Sequence, residues 1–183
     1  MMIRVNRFNI YFMLAVALTL VCGCKTEASK RKKVLSTFRL HQEVNPDLNG
    51  RSQQVPIYRQ NPITLTVSTA PFLTESNIKA AQVVDVLGGF VIHIQFDRQG
   101  TWLLEQYTAA SRSKHIAVFS QFTEKGAEKL NKGRWLAAPK VQTHITDGLF
   151  VFTPDATHEE AEQIVLGLNN VAAKTHADET SNW

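Results

Sequence analysis

The chain has 183 residues, a formal net charge of +4, 44% hydrophobic residues and 20% charged residues. A length near 150 residues buries roughly 70% of the unfolded surface, so one domain with a tail needs no covalent staple, and the composition excludes collagen, coiled coil and wholesale disorder. Both cysteines, Cys22 and Cys24, lie at the N-terminal end; this excludes disulfides within the folded part, cysteine-based zinc or iron–sulfur sites and a cysteine nucleophile downstream.

Arg4 and Arg7 precede an apolar run from Ile10 to Val21. The run is shorter than the roughly 20 residues a membrane-spanning helix needs and fits the apolar region of a secretory signal. Val21-Cys22-Gly23-Cys24 follows and resembles a bacterial lipobox. The expectation is a signal peptide over residues 1–23 and lipid attachment at Cys24, with more than one acyl chain making the membrane anchor stable. Losing Arg4 and Arg7 with the leader lowers the formal charge from +4 to +2, so a nucleic-acid partner is not expected. Lys25, rather than an aspartate, follows Cys24. By resemblance to enterobacterial sorting rules, that favours the outer over the inner membrane.

Residues 24–35 read as a flexible basic tether, with Lys30-Arg31-Lys32-Lys33 near the anchor. The folded domain is expected over residues 36–174, and 175–183 as a disordered tail. Thr37 to Val44 alternates as a half-buried strand. Residues 45–53 are rich in Asn, Pro, Asp and Gly and read as a loop. Val55 to Arg59 is a short extended piece whose Pro56 marks a sheet edge. Ile63 to Ser68 alternates again, Thr74 to Lys79 reads as a turn or helical stub, and Ala80–Val86 with Phe90–Phe96 forms a hairpin about Gly88-Gly89. The period changes at residues 98–112, where Leu103, Tyr107 and Ala110 define a helical face beside Trp102. His115 to Ser120 is an apolar strand, Glu124–Asn131 a short helix in a polar stretch, and Leu149 to Thr153 a strand. Thr157 with Glu160 forms a capping box ahead of a helix whose stripe is Ala161, Ile164, Val165, Leu168, Val171 and Ala172.

This order predicts an α+β fold of ferredoxin-like sandwich type, a mainly antiparallel sheet with two helices on one face. Ile63, Leu65, Ile92 and Ile94 should meet the last helix. Thr64, Thr66, Ser68, His93 and Gln95 should face water.

The stretch from Phe72 to Leu168 resembles the head subdomain of the large periplasmic domain of SecD, an accessory subunit of the bacterial protein translocase. The residues that carry it are Leu73-Thr74, Ala80-Ala81, Phe96-Asp97-Arg98-Gln99-Gly100 with Thr108, Ile116-Ala117-Val118-Phe119, Ala138-Pro139-Lys140-Val141 and Thr157-His158-Glu159-Glu160-Ala161. The link Ser120–Trp135 is longer than the family's, and Pro154 stands near where the family has glycine. The resemblance implies a head-domain fold and an envelope setting facing the periplasm. It does not imply proton-driven translocation, because the transmembrane helices of SecD have no counterpart in this sequence.

The six histidines show no helical metal spacing and no HExxH, and neither a P-loop, a Gly-x-Ser-x-Gly nor a GxGxxG occurs. No metal, cofactor or catalytic residue is expected. Asp97 reads as a helix cap. Residues 112–144 carry seven Lys and Arg against two Glu, and residues 145–183 carry seven Asp and Glu against one Lys, a separation that would orient a partner. Val55, Ile57, Arg59, Lys129, Lys132, Arg134 and Trp135 are the candidate partner contacts. Two functions are weighed, beside a third option of a purely structural envelope protein. One is a membrane-tethered, non-catalytic module that binds extended polypeptide or envelope and translocase proteins. The other is a small-ligand-binding or hydrolytic lipoprotein using a polar sheet face around His41, His93 and Asp97.

Overall fold

A computed structural model describes residues 34–124, 129–130 and 133–180. The expected leader, Cys24 and most of the tether lie outside the described residues.

The strands are β1 (Arg39–Gln42), β2 (Ser52–Ile57), β3 (Ile63–Ser68), β4 (Leu73–Thr74), β5 (Ile78–Val86), β6 (Gly89–Phe96), β7 (Ile116–Ser120), β8 (Arg134–Ala137) and β9 (Leu149–Phe152). Among the described residues the helices are α1 (Arg98–Ala110) and α2 (His158–Thr180), and one 3-10 turn covers Glu75–Asn77. The fold is α+β with antiparallel sheets and two helices. Its strands group as β4-β1-β7-β8, β5-β6-β9 and the ribbon β2-β3. Backbone contacts just beyond the strand ends join the groups, among them an antiparallel bridge of Glu43 with Val67. The Asp155 N–H donates to the Leu136 carbonyl at 2.7 Å, and the Val44 N–H donates to that of Thr66 at 3.0 Å.

The grouping follows from which faces can be buried. In β7, Ile116 and Val118 enter the main core with Phe38, Leu40, Ile92, Ile94, Phe96, Leu104, Phe150, Phe152, Ala161, Ile164 and Leu168. Ala117, pointing the other way, joins a second core of Val55, Ile57, Leu65, Val67 and Ala138, with Tyr58 and Trp135 at its border. A strand buried on both faces reads as a continuous apolar run, and Ile116-Ala117-Val118-Phe119 is one. The β2-β3 ribbon therefore covers the face of the β1-β7-β8 sheet expected to stay wet. This corrects one packing expectation. Ile92 and Ile94 share the core with α2, but Leu65 belongs to the second core and Ile63 is 42% exposed.

Local chemistry accounts for the helix starts. Asp97 caps α1, its carboxylate accepting from the Gly100 N–H at 2.6 Å. At α2, the Glu160 carboxylate accepts from the Thr157 N–H at 2.8 Å, and the Glu160 N–H donates to the Thr157 hydroxyl at 3.2 Å, the reciprocal capping box. The buried face of α1 is Gly100, Leu104 and Thr108 rather than the expected Leu103, Tyr107 and Ala110. Leu103 packs at the core border, Tyr107 stacks on Phe72 with centroids 4.1 Å apart, and Trp102 is exposed. In the β5–β6 hairpin Val86 pairs with Gly89, so the loop is Leu87-Gly88, with Gly88 at φ 89°. A left-handed position of that kind favours glycine.

Two further differences concern ends of elements. The expected short helix at 124–131 lies largely outside the described residues; at its flanks Thr123 and Leu130 form an antiparallel bridge. The α2 backbone runs to Thr180, which corrects the expectation of a folded domain ending at Lys174 and a disordered tail from residue 175.

One side chain closes a sheet edge. The Asn169 amide of α2 accepts from the Ala81 N–H at 2.8 Å and donates to the Ala81 carbonyl at 2.9 Å. It stands in for a neighbouring strand beside β5, so this stretch of edge cannot template another chain.

Candidate functional site

Two sequence candidates lie inside the fold rather than on a contact surface, and a third is partly covered at the border of the second core. Val55 is 6% exposed and Ile57 fully buried, both in the second core. Period-2 alternation turns these two side chains inward and leaves Gln54 and Pro56 outside. Trp135 is half-buried and packs against His41 at 5.0 Å and Phe119 at 5.2 Å between ring centroids. The availability of Val55 and Ile57 as side-chain anchors is therefore corrected. Lys129 is exposed, and Lys132 lies outside the described residues.

Arg59 and Arg134 belong to an ionic network at the start of α2. The Asp155 carboxylate accepts from the Arg59 N–H at 2.7 Å and from its Nε at 3.3 Å. An Arg59 Nη2 lies 3.8 Å from Glu160, and an Arg134 Nη2 donates to Glu160 at 2.6 Å. The Arg134 guanidinium also sits 5.3 Å from the Phe122 ring centroid. Burial alone would raise the Glu160 pKa, but the Arg134 and Thr157 hydrogen bonds and both arginine charges outweigh it and hold it below its ordinary value. These arginines thus fasten the β2-β3 ribbon and β8 to the first turn of α2.

The polar-face alternative loses its geometry. His41 is 5% exposed, on the ribbon side of β1, and its Nδ1 contacts the Ser68 carbonyl at 2.8 Å. A carbonyl only accepts, so Nδ1 carries the proton. His93 lies half-buried on the outer face of β6, between Gln82 and Val151. Asp97 is engaged as a helix cap. The three do not converge, and among the described residues no group of three or more His, Cys, Asp or Glu is placed to hold a metal ion.

Burial lowers the His41 pKa; the bond to Ser68 opposes this and the charge of Arg39 adds to it. A folded-state value below the ordinary 6.5 means that the unfolded chain takes up the proton first as pH falls. The His41 contribution is therefore complete above about pH 6.5 and is lost as pH drops through the lowered value. The expected result is a urea midpoint that falls between neutral and mildly acidic pH, with a shallower fall in His41→Gln. Equal slopes in the two proteins would remove His41 as the cause.

Sequence reasoning marked Val55–Arg59 as an edge and missed what makes the edge usable. In the β2-β3 register Gln54 faces Thr66, and the Thr66 carbonyl is turned away toward Val44. Gln54 and Thr66 are thus a non-hydrogen-bonded pair, and the backbone groups of Ser52, Gln54 and Pro56 point away from β3. No further strand pairs with that side of β2 among the described residues. Pro56 lacks an N–H and costs the ladder nothing there. Beyond β2, Tyr58 takes a left-handed φ of 70°, uncommon for a bulky side chain. The turn delivers the Arg59 N–H to Asp155. An open groove of about 420 Å³ begins here, lined by Tyr58, Gln60, Asn61, Thr153, Pro154 and Asp155.

The profile of the family described as SecDF, P1 head subdomain, matches residues 51–173. A search of curated proteins finds no match. Among solved structures, one reported under "Structure and function of a membrane component SecDF that enhances protein export" superposes with a TM-score of 0.52 at 18% identity, covering 82% of this chain and 71% of that one. Another, "Crystal structure of SecDF in Super-membrane-facing form", gives 0.51 at 17% identity, covering 79% of this chain and 21% of the other. These likenesses are of fold.

Proposed function

Since the chain belongs to the SecDF P1 head subdomain family, we propose that it is a non-catalytic accessory module that binds extended polypeptide at the bacterial envelope in support of protein export. The observation that carries the reading is the open side of β2, where Ser52 and Gln54 present backbone donors and acceptors and Pro56 an acceptor. Such groups are satisfied by an added strand, and recognition through the main chain tolerates many sequences. In the proposal the domain faces the periplasm, and a lipid on Cys24 holds it to a membrane, with the outer membrane favoured. Export is a process named for a solved SecDF; this chain would serve it by holding a polypeptide, with energy supplied elsewhere.

The test uses full-length protein from membranes. Unfolded, thiol-blocked secretory polypeptide should be retained and recovered uncut, and labelled fatty acid should enter the wild-type protein but not Cys24→Ser. Turnover of the polypeptide that is lost on substituting His93 or Asp97 would overturn the binding reading. Equal labelling of both proteins would overturn the anchor.

A further inference from the structure

The open side of β2 and the groove beyond it are consecutive along the chain. Ile57 ends the strand and Tyr58 is the first groove residue. A strand added beside β2 meets the outward groups of Ser52 and Gln54, then a gap at Pro56, which offers a carbonyl but no N–H. Beyond Pro56 the left-handed turn at Tyr58 ends the ladder. An incoming main chain needs other hydrogen-bonding partners from that point.

The groove supplies them. Gln60 and Asn61 line it, are exposed, and carry side-chain amides that can both donate and accept. The Tyr58 hydroxyl accepts from the Ala138 N–H at 3.4 Å, which seats its ring as a wall. The one carboxylate present, Asp155, is held by the Arg59 N–H and guanidinium, so the groove offers no unpaired charge to an ionic ligand. The same chain shows that a side-chain amide can replace a strand, since Asn169 satisfies both backbone groups of Ala81.

We propose that the groove lined by Tyr58, Gln60, Asn61, Thr153, Pro154 and Asp155 is a main-chain-binding subsite that takes over from the β2 edge and holds an uncharged, extended stretch of polypeptide by its peptide groups. This rests on the reading of β2 as a polypeptide-binding edge. Pro56 then marks the hand-over between ladder and groove. The preferred occupant is an uncharged segment, because a charged side chain gains no free counter-ion there.

The experiment measures fluorescence anisotropy of a labelled, uncharged peptide of alternating Thr and Val with the full-length protein. Gln54→Pro removes one of the two outward N–H groups of the edge, leaving that of Ser52. Gln60→Ala combined with Asn61→Ala removes the groove amides. Each loses one or two net hydrogen bonds, so each should weaken binding about tenfold, with thermal midpoints unchanged. Replacing the Val residues by Asp should weaken it further. Weakening by Gln54→Pro alone would overturn the groove subsite and leave the edge reading standing. Weakening by the groove substitutions alone would overturn the hand-over and the edge together. No binding of the peptide by the wild-type protein would sink both.

Discussion

Gly167→Ala is expected to destabilise the protein, reversing the usual effect of that substitution in a helix. Within an ordinary helix, Ala is better than Gly by about 1 kcal/mol. Here residues 35 and 36 cross α2 directly over Gly167. A Cβ at 167 would collide with the Ser36 hydroxyl and lie 2.6 Å from both the Leu35 carbonyl carbon and the Ser36 nitrogen. Those last two are backbone atoms, and they are held. The Asn170 side chain donates to the Val34 carbonyl at 2.9 Å, and the Thr123 N–H donates to the Leu35 carbonyl at 3.1 Å. Overpacking a closed contact costs about 1–3 kcal/mol, and the larger side chain of Gly167→Val should cost more than that of Gly167→Ala. The measurement is the urea midpoint at neutral pH. A midpoint raised by Gly167→Ala would show that the crossing segment does not rest on the helix.

Leu168→Ala should cost about 2–5 kcal/mol, because Leu168 is fully buried in the main core with Ile92, Ile94, Ile164 and Ala161. Ile63→Ala is the informative comparison. The alternation of Ile63 to Ser68 groups Ile63 with the same core, yet it is 42% exposed at the start of β3. Its truncation should fall within about 0.5 kcal/mol of wild type. Equal costs at the two positions would mean that the ribbon packs on α2 after all. Denaturant unfolding of the two variants side by side decides the point.

These cases show what the sequence discloses. The helix caps, the β5–β6 hairpin and the last helix are local, and residues within a few positions determine them. Thr157 with Glu160 and Asp97 with Gly100 could be read directly because each pair satisfies the orphan N–H groups of its own helix. The division into two cores could not. Ala117 and His41 have alternating neighbours compatible with either a wet or a covered face, and only the return of the distant ribbon decides between them. The sequence offers one clue in hindsight, the unbroken apolar run at Ile116–Phe119, which signals burial on both sides. The candidate contacts divide in the same way. Pro56 correctly announced an edge, since proline is tolerated where no ladder donor is needed. The roles of Arg59, Arg134 and Trp135 depended on partners such as Asp155, Glu160 and His41, which are remote in sequence. The groove escaped notice because Gln60 and Asn61 resemble any polar turn until Thr153–Asp155 is brought beside them.

The crossing of α2 by residues 34–37 also decides how the domain bears mechanical load. A pull entering at Val34 meets the Asn170 bond, then the paired bonds between Leu35 and Thr123, then the Thr37 N–H to the Gln121 carbonyl at 2.7 Å, before it reaches β1. β1 itself lies inside its sheet, with β4 on one side and β7 on the other. Tension would therefore be spread over a helix, a loop and two strand neighbours before it passes along β1 to Val44, where the Thr66 carbonyl ties the β2-β3 ribbon to the same chain.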